Sequence, residues 1–166
     1  VTFDQAPGES GQQSFALGFE LAAAVEAVLS PAAAFGGGVV FKGRYAFAID
    51  RLGPANGEVA VYDLLDPLSP VKVASLSVPG YPTAMELLAD YSLQLGQGGS
   101  CKHGDFLAVA GGPTGQGSLP KFLWIIDVSN PTAPYRLAST VLTFSETARI
   151  HSMKWSPPFL GMLFLE

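Results

Sequence analysis

The sequence predicts an all-β fold built from short antiparallel strands, and three features lead to this prediction. The 166 residues include 19 Gly and 13 Pro, which supply frequent turns and suit many short strands better than long helices. The apolar runs are short, rich in β-branched and aromatic residues, and bounded by Gly and Pro, as is typical of strands. The third feature is an internal repeat, which divides the chain into units of strand and turn.

The repeat is clearest where segment 59–71 matches segment 123–135. In both copies an apolar strand leads into an Asp and two prolines, and the residues that follow match without a gap. The matched pairs, each 64 residues apart (127 − 63), are Asp63 and Asp127, Pro67 and Pro131, and Pro70 and Pro134. The two segments are therefore interpreted as copies of one structural unit.

A second match lies upstream of each copy, where 43–49 matches 104–110 at an offset of 61 residues (104 − 43). The change of offset falls in the turn between the two segments, where insertions are tolerated. Each unit is therefore predicted to consist of a strand, a turn, a second strand, an Asx-Pro turn and a third strand.

Asp63 and Asp127 are predicted to be structural residues at strand ends. A carboxylate in this position accepts hydrogen bonds from backbone N–H groups two or three residues further on, which closes a turn. Pro67 and Pro131 then fix φ and prevent the strand from continuing. A catalytic or metal-binding role for the two aspartates is the less favoured alternative.

Residues 123–131, with the sequence Leu-Trp-Ile-Ile-Asp-Val-Ser-Asn-Pro, and the further proline Pro134 resemble the LVIVD repeat of bacterial and archaeal surface proteins. That repeat is taken to form β-propeller blades, and the resemblance covers about residues 39–145. The first copy departs from the pattern at 64–66, where the family prefers a Ser-Asn type of turn. The resemblance implies an all-β fragment of a larger propeller, with two antiparallel blades and part of a flanking blade.

The chain is expected to have three parts. Residues 1–38 form a flanking segment, with a strand and one short helix around 21–29, 39–145 form two blades, and 146–166 begin a further blade. The expected strands are 84–95, 106–110, 123–128 and 135–144 in the second blade, and 150–157 and 160–165 in the next. Because a propeller needs about four to eight blades, the remainder of the parent polypeptide or other protein chains is expected to complete it.

Composition narrows the possible partners. The net charge of −5 argues against nucleic-acid binding, because phosphate neutralisation needs clustered Lys and Arg. Only 14% of residues are charged, which predicts that much of the surface of this chain is buried against something else. The apolar run 15–35 contains Glu20 and Glu26 and lacks a basic flank, so neither a signal peptide nor insertion into a membrane is expected.

Candidate chemistry is sparse. Cys101, Lys102, His103 and Asp105 form the one local group of nucleophile, base and acid, but tetrahedral zinc needs four ligands and no second Cys/His pair exists. The Gly-rich segment 111–118 lacks the Lys and following helix of a phosphate-binding loop. Neither a hydrolase nucleophile elbow nor a metalloprotease or calcium-loop motif is present. No catalytic residue, metal or cofactor is therefore predicted.

The resemblance implies a larger secreted or cell-surface protein, and the missing catalytic motifs favour a non-catalytic scaffold, adhesion or interaction module of that protein. One alternative is a propeller enzyme whose catalytic residues lie outside this chain, and another is an interaction subunit of a larger assembly. The loops 51–58 and 111–121 join equivalent strands and are expected at one face, where variable loops bind ligands. The residues expected to contact a ligand there are Arg51, Asn56, Glu58, Gln116 and Lys121.

Overall fold

Every regular element in the described part of the chain is a β-strand. The computed structural model describes residues 38–51, 56–94, 99–112, 121–142, 149–157 and 159–165. The strands are β1 (Val39–Lys42), β2 (Tyr45–Arg51), β3 (Asn56–Asp63), β4 (Val71–Pro79), β5 (Tyr81–Gln94), β6 (Cys101–Gly112), β7 (Lys121–Asp127), β8 (Tyr135–Leu142), β9 (Arg149–Ser156) and β10 (Phe159–Leu165). The prediction of an all-β antiparallel fold is confirmed. The helix expected around 21–29 lies outside the described residues.

The strands form three sheets in chain order. Sheet 1 contains β1 to β4, sheet 2 contains β5 to β8, and sheet 3 contains β9 and β10. Strands that are consecutive within a sheet pair antiparallel, so sheets 1 and 2 are four-stranded meanders and sheet 3 is a hairpin. The hairpin between β1 and β2 shows why the chain can turn so tightly: Gly43 has a φ of 57°, which a side chain would disfavour.

The repeat of the sequence is also a repeat of strand register. Tyr45 pairs with Asp63 in sheet 1, and Phe106 pairs with Asp127 in sheet 2. Both sheets also have a register irregularity at equivalent residues of the third strand. The two matched segments therefore fold into equivalent strands at equivalent positions, as the sequence predicted.

Sheet 2 is covered on both faces because its residues alternate between two hydrophobic cores. Leu107 and Val109 belong to the core shared with sheet 1, whereas Phe106, Ala108 and Ala110 belong to the core shared with sheet 3. All five side chains are fully buried. Sheet 2 is thus the middle layer of a stack of three.

The sheets stack head to tail. Phe47 and Ile49 of sheet 1 pack against sheet 2, and their equivalents in sheet 2, Ala108 and Ala110, pack against sheet 3. Each unit therefore turns the same face towards the unit that follows it. The principal backbone contacts between sheets are made by β5, which lies against β1, β2 and β3 on one side and β9 on the other.

Candidate functional site

Arg51, Asn56 and Lys121, three of the predicted binding residues, lie at the loop end of the sheets, where β2 and β6 end and β3 and β7 begin. Arg51 is the last residue of β2 and Asn56 the first of β3, so they flank the shorter connection 52–55. Lys121 is the first residue of β7 and is half-buried. Gln116 and the side chains of Arg51 and Asn56 lie outside the described residues.

Glu58 does not belong to the loop that the sequence predicted. It lies in β3, is 7% exposed, and forms an ion pair with Lys72 of β4. The hydrogen bond to Glu58 raises the pKa of Lys72 above its ordinary value. Strand pairing continues as far as Arg51 and Gly57, which shortens the loop and leaves Glu58 on a sheet face. Its carboxylate is therefore engaged within sheet 1.

The stems of the two loops lie at the same end of the stack. Gly57, beside the first loop, approaches Pro82 so closely that a Cβ atom on it would lie 2.5 Å from the proline Cδ. Gly111, beside the second loop, pairs with the same Pro82. Both stems thus lie against one residue of β5, while the connections 52–55 and 113–120 lie outside the described residues.

The opposite end of the sheets, the aspartate end, is where β3 and β7 finish at Asp63 and Asp127. Asp63 Oδ1 accepts the N–H of Leu65 at 3.0 Å, and Asp127 Oδ1 accepts the N–H of Ser129 at 2.9 Å. These are the turn-closing hydrogen bonds predicted from the sequence. A second pair of equivalent hydrogen bonds lies three residues later. The carbonyl of Asp66 accepts the N–H of Ser69, and the carbonyl of Asn130 accepts the N–H of Ala133.

Asp127 is the most engaged of the carboxylates at this end. It is 3% exposed, and its second oxygen lies 2.9 Å from Lys102 Nζ and accepts the hydroxyl of Tyr135 at 3.1 Å. Burial raises the pKa of Asp127, but the hydrogen bonds from Lys102, Ser129 and Tyr135 outweigh it and hold the pKa below its ordinary value. Asp127 is a buried, charged anchor of the turn.

The group formed by Cys101, Lys102, His103 and Asp105 does not converge on one point. Alternation along β6 directs Lys102 to Asp127, while Asp105 forms an ion pair with Lys42 of sheet 1. Cys101 is exposed, two residues from His103 on the same strand. The cluster seen in the sequence is therefore divided between two faces of the sheet.

Asp105 links sheet 1 to an unusual backbone position in β5. Besides pairing with Lys42, its carboxylate accepts the N–H of Asp90, at 2.9 Å. Burial raises the pKa of Asp105, but Lys42 and the Asp90 N–H outweigh it and lower the pKa overall. Asp90 has a φ of 53°, in the left-handed region that non-glycine residues seldom adopt, beside a register irregularity of β5.

A second polar chain, which the sequence did not indicate, joins Ser92, His103 and Asp90. Ser92 Oγ lies 3.0 Å from His103 Nδ1, and His103 Nε2 lies 3.0 Å from Asp90 Oδ1. The side chains of His103 and Asp90 are 64% and 88% exposed, so water screens the pair. A hydroxyl, imidazole and carboxylate in series can move a proton, but nucleophilic catalysis also needs a substrate pocket and oxyanion donors. The irregular register of β5 hides this pairing from sequence patterns.

Within the described ranges, His, Cys, Asp and Glu form no group of three or more that could hold a metal ion. The same residues contain no helix that is both apolar and long enough to cross a membrane. The chain matches no protein-family model, no curated protein and no solved structure.

Proposed function

We propose that this chain contributes consecutive blades to a larger β-propeller, which acts as a non-catalytic scaffold, adhesion or interaction module of a secreted or cell-surface protein. The observation that carries the proposal is the head-to-tail stacking of equivalent sheets. A head-to-tail stack of equivalent units can continue without limit, unless the rotation from each unit to the next closes the stack into a ring. A propeller is such a ring, made of four-stranded meanders like sheets 1 and 2.

The place of closest approach between sheets supports a ring over a straight stack. β5, the first strand of its meander, makes the principal backbone contacts with both neighbouring sheets. β1 and β9, which are also the first strands of their sheets, are among its partners. Blades of a propeller converge at their first strands and diverge towards their fourth, so β1, β5 and β9 would line the channel.

The use of the acidic residues supports a structural rather than a catalytic role for the aspartate end. Asp63 and Asp127 close turns and pair with Arg44 and Lys102, and Asp105 pairs with Lys42 across two sheets. Binding is assigned to the loop end, since rigid sheets present variable loops there. Arg51, Asn56, Gln116 and Lys121 remain the proposed contact residues. Glu58 is withdrawn from that set because Lys72 engages it within the sheet.

Electron microscopy of the purified polypeptide that carries this chain tests the architecture. The expected particle is a closed ring with a central channel, and its blade number follows from the rotational order of the class averages. An open stack or a two-sheet sandwich would contradict the proposal.

The single cysteine provides a test of location. Cys101 is exposed at the start of β6, so a membrane-impermeant maleimide should label it on intact cells that express the protein. A variant with Cys101→Ser is the matched control, because it removes the one thiol of the chain. Labelling that appears only after lysis would contradict the cell-surface assignment.

A further inference from the structure

Sheet 3 exposes two large apolar side chains at positions that are buried or half-buried in the neighbouring sheets. Phe159 and Leu163 of β10 are 74% and 53% exposed. Phe159, Gly161 and Leu163 follow one another at intervals of two residues along β10, so all three lie on one face of the strand. The intervening Leu160 and Met162 pack on the core shared with sheet 2. Phe159 and Leu163 therefore face away from sheet 2.

Strand register identifies which residues of sheets 1 and 2 correspond to Phe159. In the hairpin of β1 and β2, the last pair before the turn is Lys42 with Tyr45. In the hairpin of β9 and β10, it is Ser156 with Phe159, and both turns contain two residues. Phe159 thus corresponds to Tyr45, whose equivalent in sheet 2 is Phe106.

The equivalent positions are wholly or partly covered in the other sheets, and Tyr45 is half-buried against the core between sheets 1 and 2. Phe106 is fully buried in the core between sheets 2 and 3. Ile49, which corresponds to Leu163, is fully buried between sheets 1 and 2. In a continued head-to-tail stack, the exposed face of β10 would therefore pack against a further sheet.

The edge of β10 that is open in sheet 3 is paired in the equivalent strands, since β2 pairs with β3 and β6 pairs with β7. The carbonyls of Arg44 and Asp105, each one residue before the aromatic position, accept backbone N–H groups of residues that follow β3 and β7. Alternate residues of a strand direct their backbone groups to the same neighbour. By the same register, Leu160 and Met162 direct theirs to the open edge of β10, which among the described strands pairs with β9 alone.

We propose that this edge binds an antiparallel strand of the type of β3 and β7, with alternating apolar residues and an Asp opposite Phe159. The Asp follows from the pairing of Tyr45 with Asp63 and of Phe106 with Asp127. The inference rests on the proposed function, because the occupant is a further segment of the same repeating polypeptide. The β3 and β7 strands of a second copy are not available for this pairing without unfolding, since each is already paired on both edges.

The test uses the full chain extended after Glu166 by a flexible Gly/Ser linker, as long as the connection between β6 and β7, and a second copy of residues 121–142. The tether gives the added segment a high effective concentration. Amide hydrogen exchange at Leu160 and Met162 should slow at least ~10-fold relative to the unextended chain. The amide of Gly161, which the register directs to β9, serves as an internal reference.

Two variants of the extended chain make the result specific. Phe159→Lys should restore fast exchange at Leu160 and Met162, whereas Val141→Lys at the native position on β8, another exposed apolar site on an edge strand, should leave the slowing intact. Unchanged exchange in the extended chain, with the amides of β6 and β7 still protected, would overturn this docking and leave the stacking of the three sheets untouched. Protection of Leu160 and Met162 in the unextended chain at rising concentration would overturn it in favour of a second copy. A closed ring in microscopy without such a strand on β10 would likewise overturn the docking and leave the proposed function standing. Slowed exchange in the extended chain together with an open stack in microscopy would separate the two proposals in the opposite sense.

Discussion

At the scale of single residues, the two equivalent aspartates make the same kinds of contact but differ in how deeply they are buried. Asp63 and Asp127 each close a turn and each pair with a cation, Arg44 or Lys102. The side chain of Asp127 is 3% exposed and that of Asp63 is 17% exposed. Removing the more buried carboxylate leaves more unsatisfied donors in a less hydrated place.

This difference predicts the relative cost of two substitutions. Asp127→Ala should destabilise the chain by about 1–2 kcal/mol, through the lost hydrogen bonds of Ser129, Lys102 and Tyr135, and should not abolish ligand binding. Asp63→Ala, the matched control, should cost less. Chemical denaturation gives both values. Unchanged stability combined with lost binding would show that Asp127 is a functional residue rather than a structural one.

The lowered pKa of Asp127 predicts how stability depends on pH. Its carboxyl has a lower pKa in the folded chain than the ordinary value of about 3.9, so the unfolded chain binds the proton more readily. The stability that this charge contributes is present above about pH 4 and is lost as pH falls through the folded pKa. Asp127→Asn should therefore lower stability at neutral pH and flatten the loss in acid, as thermal unfolding between pH 2 and pH 7 would reveal. A variant as steeply acid-sensitive as the parent chain would refute this.

Local features of this kind are the part of the structure that sequence predicts best. An Asp at a strand end and a proline four residues on determine a turn through contacts a few residues apart, so both turns were predictable from 63–67 and 127–131. The ion pair between Lys42 and Asp105 was not, because it depends on how two sheets lie against each other. The chain of Ser92, His103 and Asp90 was hidden for a related reason: a register irregularity changes which residues of β5 and β6 meet.

At the scale of elements, β5 and β6 form the longest hairpin, and two neighbouring glycines have different roles in it. A Cβ atom on Gly111 would lie 2.6 Å from Cα of Pro82 and 2.8 Å from the carbonyl carbon of Tyr81. Both are backbone atoms and cannot swing aside. A Cβ on Gly112 would meet nothing closer than Cγ of Lys121 at 3.5 Å, an ordinary contact.

The two glycines therefore provide a matched pair of substitutions. Gly111→Ala should destabilise the chain by about 1–3 kcal/mol, because the pairing of β5 with β6 must shift to admit the methyl group. Gly112→Ala should change stability by less than about 0.5 kcal/mol. Equal denaturation midpoints for the two variants would contradict the close approach of β5 and β6 at Gly111.

The alternation of each strand was predictable, but the neighbour of each face was not. A period of two identifies Leu107 and Val109 as one face of β6 and Ala108 and Ala110 as the other, and both faces read as apolar. Only the structure assigns the first face to sheet 1 and the second to sheet 3. The loop assignment of Glu58 was wrong because the pairing of β2 with β3 continues through Asp50 with Glu58 and Arg51 with Gly57, which places Glu58 inside the strand.

At the scale of the whole molecule, the middle sheet holds its neighbours through both apolar cores and polar bridges. Asp105 pairs with Lys42 of sheet 1, while Glu86 accepts the N–H of Trp155 at 3.0 Å and lies 3.3 Å from Lys154 of sheet 3. One acidic residue of sheet 2 thus reaches each neighbour. The order of the sheets in the chain is consequently their order in space.

The angle between consecutive sheets distinguishes a propeller from a parallel stack. Spin labels at Phe41 and Ala89 would report the separation of the first strands, β1 and β5, and labels at Ser75 and Ser139 that of the fourth strands, β4 and β8, in chains carrying Cys101→Ser. Three strand spacings of about 4.8 Å and an angle of about 45–90° between blades widen the gap by about 10–20 Å from the first strand to the fourth. Pulsed dipolar spectroscopy should therefore find the distance between the fourth strands longer than that between the first strands by this amount. Two equal distances would contradict the account, because the sheets would then lie parallel and no ring could close.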